Sequence, residues 1–160
     1  GTMIAPFDAF IALKGTKTLA LRAERAASNA LAIAKHLEKH PKISKVLYPG
    51  LPSHPHHNIA KKNAADPKRM SGGSGMVSFY IKGNAKKTST FLSNLHVITL
   101  AESLGGVESL IEAPAVMTHG SVPPEHRKLL GIDDNFVRLS TGIENIEDLI
   151  ADLDAALRKI

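Results

Sequence analysis

Glu102-Ser103-Leu104-Gly105-Gly106 places a carboxylate, a hydroxyl and a flexible hinge directly after an apolar run, Val97-Ile98-Thr99-Leu100-Ala101. Strand ends and the loops behind them are where a rigid scaffold presents binding groups; the same residues can also simply make a turn. Arg138 is the second signal. In "NFVRLST" it stands between Val137 and Leu139, which on a strand face the side opposite to it. A guanidinium there needs a partner, because an unpaired buried charge is costly. Its planar fork fits a carboxylate in two-point contact. The spacing leaves two sources open: a ligand's carboxylate, or an internal one from Glu102, Glu144 or another acidic neighbour.

Other candidates carry less. His54, His56 and His57 offer three imidazoles in "HPHH", but a metal site needs further ligands and partners that orient the rings, and two prolines mark a surface loop. Residues 71–75, "SGGSG", lack the Lys-Ser/Thr ending of a phosphate-cradling loop and do not lead into a helix; they read as a turn or mobile loop. His119 in "VMTHGS" reads as a loop residue rather than a base, and no Gly-x-Ser-x-Gly elbow is present. The chain has no cysteine, which excludes a disulfide scaffold, a thiolate metal site and a catalytic thiol. The net charge of +5 is scattered, and the chain has no Trp for base stacking, so nucleic acid is not the expected partner. No apolar run approaches the ~18 residues that span a bilayer, and a cytoplasmic location is the default expectation.

The elements that must hold these groups follow from periodicity. At 160 residues, 43% hydrophobic and 4% aromatic, the chain fits one domain with an aliphatic, Ala-rich core. Pro6 can start a short helix. A long helix is expected over residues 16–40, with Ala23, Ala27, Ala30, Ala34 and Leu37 on one face and Pro41 as its stop. Strands are expected in "KISKVLYPG", "MVSFYIK", "HVITLAES" and "NFVRLST". Helices are expected over 58–64, in "NAKKTSTFLSNL" with Phe91, Leu92 and Leu95 inward, in "SVPPEHRKLLG", and at the C-terminus. There Ile146, Leu149, Ile150, Leu153 and Leu157 make the apolar face, and Asn145 with Asp148 resembles a cap. Four strands among helices make an α+β domain, one sheet covered by helices.

The segments "YPGLPSHPHH", "GMVSFYIKG", "TLAESLGGVESLIEAPAVMTHGSVPPEHRKLLGI" and "VRLSTGIENIEDLIADLDAAL" together resemble the C-terminal domain of the Cys/Met-metabolism enzymes that depend on pyridoxal phosphate. Within that family they are most similar to the cystathionine gamma-lyase branch and, next, to the gamma-synthases. The likeness runs along nearly the whole chain. It implies the small domain of a fold-type I enzyme, with a four-stranded, mainly antiparallel sheet and a long N-terminal linking helix. Ala23 and Ala26 stand where the family often has methionine and histidine. The resemblance gives the opening residues roles. Ser103 and Arg138 would hold the substrate's α-carboxylate, Glu102 would lie in the substrate cleft and help separate γ- from β-elimination substrates, Leu104 would line it, and Thr118 would stand close behind. Arg138 would then find its partner only with substrate, so its loss would leave thermal stability nearly unchanged.

The family's Schiff-base lysine sits in a Ser-x-Thr-Lys setting; "KKTSTF" has the wrong order. That lysine, the phosphate cup, the ring-stacking aromatic and the aspartate on the ring nitrogen belong to the family's large N-terminal domain. Residues 1–160 are therefore expected to be the small domain alone, inactive by itself, with no catalytic residue and no cofactor contact beyond a cleft contact by Ser103. The parent would be a pyridoxal-phosphate lyase of transsulfuration, a cytoplasmic homotetramer acting on a small amino acid and touching neither nucleic acid nor membrane. A gamma-synthase, joining an activated homoserine to cysteine, and a stand-alone amino-acid-binding module are the competing expectations.

Overall fold

The computed structural model describes residues 3–64 and 73–160. Its elements run α1 (Pro6–Thr16), α2 (Leu19–Glu38), β1 (Ile43–Leu47), α3 (His57–Ala64), β2 (Met76–Ile81), α4 (Ala85–Leu92), β3 (Thr99–Leu100), β4 (Leu110–Glu112), α5 (Pro124–Leu129), β5 (Phe136–Ser140) and α6 (Ile146–Arg158). The α+β class holds, but the sheet has five strands rather than four, in the order β1-β2-β5-β4-β3. It is mixed: β1–β2, β2–β5 and β4–β5 are antiparallel, whereas β3–β4 is parallel.

One face of the sheet is the core. Val77, Phe79, Ile81, Ile111, Val137 and Leu139 alternate along their strands, are fully buried, and meet α2, α4 and α6. The small residues Ala27, Ala30 and Ala34, with Ile33 and Leu37, form the buried stripe of α2 and let it approach closely, while Ala23 is only half-buried. Phe91 meets Phe79 edge to face at 6.1 Å, and Leu149, Leu153, Ala156 and Leu157 close the layer from α6. Asn145 caps α6 by accepting from Glu147 N at 2.9 Å, not through Asp148.

The expected short and long helices are α1 and α2, but the break between them falls at residues 17–18 rather than before residue 16. Gly15, Thr16 and Thr18 are weak helix formers, and the hydroxyls compete for backbone groups. Thr16 Oγ1 donates to Leu13 O at 2.8 Å, and Thr18 leaves helical geometry (φ −111°, ψ 6°). Arg22 staples the break by donating to Gly15 O at 2.6 Å and to Thr18 Oγ1 at 3.3 Å. None of α1 is buried; Phe7, Phe10, Ile11 and Leu13 are exposed.

The third expected strand is also corrected. Asp152 of α6, itself buried, accepts from the N–H groups of His96, Val97 and Ile98 at 2.9, 3.0 and 2.9 Å. Those amides are then unavailable to a ladder, and β3 shrinks to Thr99–Leu100, paired to β4 through Thr99 N to Ser109 O and Ala101 N to Ile111 O. Part of the glycine-rich turn, Ser71 and Gly72, lies outside the described residues. Among the described residues no helix is long and apolar enough to cross a membrane.

Candidate carboxylate-binding site

The opposite face of the sheet is polar where β2, β5 and β4 run side by side. Register sets Arg138 opposite Ser78 on one side and Glu112 on the other, and Ser140 opposite Met76 and Leu110. Arg138 does point away from Val137 and Leu139, both fully buried, as its spacing predicts. Its internal partner is Glu112: Nη1 lies 3.1 Å from Glu112 Oε1, with the arginine side chain 22% exposed and the glutamate 0%. Nη2 donates to the backbone carbonyl of Glu102 at 2.8 Å. The expectation that Arg138 has no partner before substrate arrives is therefore wrong. The β4 register presses a glutamate into the same row, and its burial demands a cation. Thr118 Oγ1 also donates to Glu112 Oε1, at 3.1 Å, and stands 2.9 Å from His119 Nδ1. Glu112 Oε2 is buried with no hydrogen-bond partner among the described residues.

A clamp built by the β5–α6 turn holds the loop that carries Glu102 and Ser103. Gly105, at φ +78°, takes a left-handed conformation open to glycine, and its N–H donates to Ser140 Oγ at 2.9 Å. Ile143 N donates to Val107 O at 2.9 Å. The Glu144 carboxylate receives Ser109 N at 2.5 Å and Ser109 Oγ at 2.9 Å, and that hydroxyl accepts from Gly142 N at 2.9 Å. Buried Asn29 reaches over from α2 to donate to Gly142 O and Glu144 O, at 3.1 and 2.9 Å. Contact here is so close that a Cβ on Gly142 would stand 2.3 Å from Val107 O. Glu144, a candidate partner for Arg138, thus serves the loop instead.

The loop's own side chains are left outward. Glu102, Ser103 and Leu104 are exposed, and the Glu102 carboxylate and Ser103 hydroxyl make no hydrogen bond among the described residues. The structure brings Glu102, through its carbonyl, and Thr118, through Glu112, to Arg138, with Ser103 and Leu104 next along the chain. Sequence reasoning missed Glu112, Ser109, Ser140 and Asn29. A signal for Glu112 existed: it is a single charge inside the apolar run "LIEAPA", the natural complement of a single arginine inside "FVRLS".

The remaining candidates do not converge. His57 Nδ1 sits 3.0 Å from Pro49 O and His54 Nδ1 accepts from His56 N at 3.1 Å; no group of metal-ligating side chains forms among the described residues. A cleft of about 770 Å³ between α2, α3 and the Tyr48–Gly50 turn shares no residue with the Arg138 cluster. Among the described residues no lysine takes part in that cluster, and Lys42 donates instead to Leu157 O and Ile160 O at the end of α6. The donors around Arg138 thus fit a ligand's carboxylate. Among the described residues they include no amine for pyridoxal phosphate's aldehyde and no array of backbone N–H groups for its phosphate, so the cluster as described does not fit that cofactor.

Residues 1–158 match the profile of the Cys/Met metabolism PLP-dependent enzyme family. The chain is 55% identical over 159 residues to the cystathionine gamma-lyase of Dictyostelium discoideum, covering 99% of this chain and 40% of that protein. It is 55% identical over 157 residues to the cystathionine beta-lyase of Coxiella burnetii, covering 98% and 39%. A solved structure, cystathionine gamma-lyase from Lactobacillus plantarum complexed with L-serine, superposes with a TM-score of 0.86 at 42% identity, over 99% of this chain and 40% of that one. The chain spans about two fifths of the length of the relatives it matches.

Proposed function

The chain belongs to the Cys/Met metabolism PLP-dependent enzyme family, and from that premise we propose that it forms the substrate-carboxylate wall of a lyase that converts cystathionine and water to cysteine, 2-oxobutanoate and ammonia. In this reading it is the small C-terminal domain of a longer parent, and the parent's remaining residues hold pyridoxal phosphate. The cofactor supplies the electron sink that makes the substrate's α-C–H bond acidic. This chain's part is binding and orientation: Arg138 grips the α-carboxylate through guanidinium N–H groups not engaged by Glu112 and Glu102, and Ser103 adds a hydroxyl beside it. Fixing that carboxylate limits the rotations open to the substrate, and such positioning lowers the barrier by pre-organised geometry. Glu102 faces the distal part of the substrate, where a carboxylate favours an amino group, and Leu104 lines the same side. The observation that carries the reading is the partly exposed Arg138, backed by a fully buried carboxylate and fronted by Glu102 and Ser103, whose side chains have no hydrogen-bond partner among the described residues.

The Coxiella relative is named a beta-lyase at the same identity as the Dictyostelium gamma-lyase, so β-cleavage is the second reading. Product analysis separates the two. The parent enzyme given L-cystathionine is expected to release 2-oxobutanoate and cysteine. Pyruvate and homocysteine would make it a beta-lyase. Cystathionine formation from an activated homoserine and cysteine, faster than cleavage, would make it a synthase.

A further inference from the structure

We infer that Glu112 is a positioning residue, a buried carboxylate that locks the Arg138 fork in its carboxylate-gripping pose before substrate arrives; the inference rests on the reading of Arg138 as the substrate's anchor. Glu112 is 0% exposed, so it touches no ligand itself. Its register opposite Arg138 puts the two side chains in one row of the sheet, where facing residues interact most closely. Arginine is a long side chain that otherwise samples many rotamers, and ordering it on binding weakens affinity. Two contacts remove that freedom. Glu112 Oε1 holds Nη1 at 3.1 Å and the Glu102 carbonyl holds Nη2 at 2.8 Å, so position and plane of the guanidinium are both set.

The hold is strong because the alternative is worse. Besides Arg138, Oε1 has only Thr118 Oγ1, and Oε2 has no hydrogen-bond partner among the described residues. If Arg138 swung outward, an almost uncompensated buried charge would remain. The arginine is thus kept in place by the needs of the residue behind it. Thr118, from the turn after β4, fixes Glu112 in turn and extends the same chain of contacts by one residue.

Steady-state kinetics of the full-length parent with cystathionine tests this. Glu112→Gln keeps the shape and drops the charge. It is expected to raise KM about ten-fold, as for loss of one charge-assisted contact, and to leave kcat within about two-fold. In an Arg138→Lys background the same substitution should add less than about three-fold, because it acts through a fork that is already gone. A purely structural residue would lower kcat or the amount of folded enzyme and leave KM alone, or would add its full effect in the Arg138→Lys background; either result overturns the inference. If Arg138→Lys raises KM and Glu112→Gln does not, the positioning role fails and the anchor stands. If Arg138→Lys leaves KM unchanged, the anchor reading fails and takes the inference with it. Should Glu112→Gln yield no folded enzyme, Thr118→Val decides. It removes one donor to Oε1 without stranding a charge and is expected to raise KM two- to five-fold, whereas an unchanged KM refutes the inference.

Discussion

Arg138 serves two partners, and its substitutions should separate them. Arg138→Ala strands Glu112 in a fully buried position. Breaking a buried pair in this way costs about 3–5 kcal/mol, and the partial exposure of Arg138 points to the low end, roughly 3. A clear fall in melting temperature is expected, and an unchanged one would show that Glu112 finds another partner. Replacing Arg138 and Glu112 together by leucines should recover most of that stability, since no charge is then left buried. Glu102 behaves differently. Its side chain is exposed and unengaged, so Glu102→Leu should leave stability within about 0.5 kcal/mol. It should instead shift the parent's kcat/KM ratio between cystathionine and methionine-like substrates away from cystathionine. A constant ratio would remove Glu102 from substrate selection. At this scale the sequence makes the need legible but not the answer: an arginine between Val137 and Leu139 requires a carboxylate, yet the choice among Glu102, Glu112 and Glu144 depends on β4–β5 register, which no local pattern encodes.

Helices, the outer strands and the long loop divide along the same line. The helices with strong periodicity, α2, α4 and α6, and the alternating strands β2 and β5 are plain in the chain because each buries one face against the other layer. β4 was not, since three buried residues, Leu110–Glu112, leave no alternation to read. β3 was overdrawn because its first amides go to a side chain 54 to 56 residues away. That contact makes Asp152 testable. Asp152→Ala leaves three backbone N–H groups without their acceptor, and a loss of about 2–4 kcal/mol is expected in denaturant unfolding. A loss below about 1 kcal/mol would mean water replaces the carboxylate. Gly142→Ala probes the clamp from the other side. Its Cβ has no room beside Val107 O, so the 102–109 loop must shift. In the parent, KM should rise more than kcat falls, since the shift moves Ser103 relative to Arg138.

Across the whole molecule, two linked properties extend beyond the site. His40, after α2, has its pKa lowered below 6.5, first by desolvation, against an opposing pull from Asp154 and with smaller lowering effects from His36 and Lys42. Its Nδ1 accepts from Lys42 N at 3.2 Å, a role only the neutral ring can play. The unfolded chain therefore binds the proton more readily, so this contribution is complete above pH 6.5 and is lost as pH falls from there towards the depressed folded value. His40→Gln should flatten the acid side of the stability curve just below pH 6.5; an unchanged slope assigns the acid sensitivity to other groups. The second follows from the proposed reading, in which the rest of the parent holds the cofactor. Residues 1–160, mixed with pyridoxal phosphate and desalted, are expected to retain no stoichiometric absorbing complex, and retention mapped to one lysine would contradict the proposed division of labour with the rest of the parent. The most direct measurement of the central claim is the steady-state kinetics of the parent's Arg138→Lys variant with cystathionine. Lysine leaves Glu112 a cation but cannot offer the planar fork. The account predicts a ten- to hundred-fold loss in kcat/KM, about one charge-assisted hydrogen bond, with a melting temperature within a few degrees of the parent's. Unaltered kinetics would contradict it and leave Arg138 as one half of an internal ion pair.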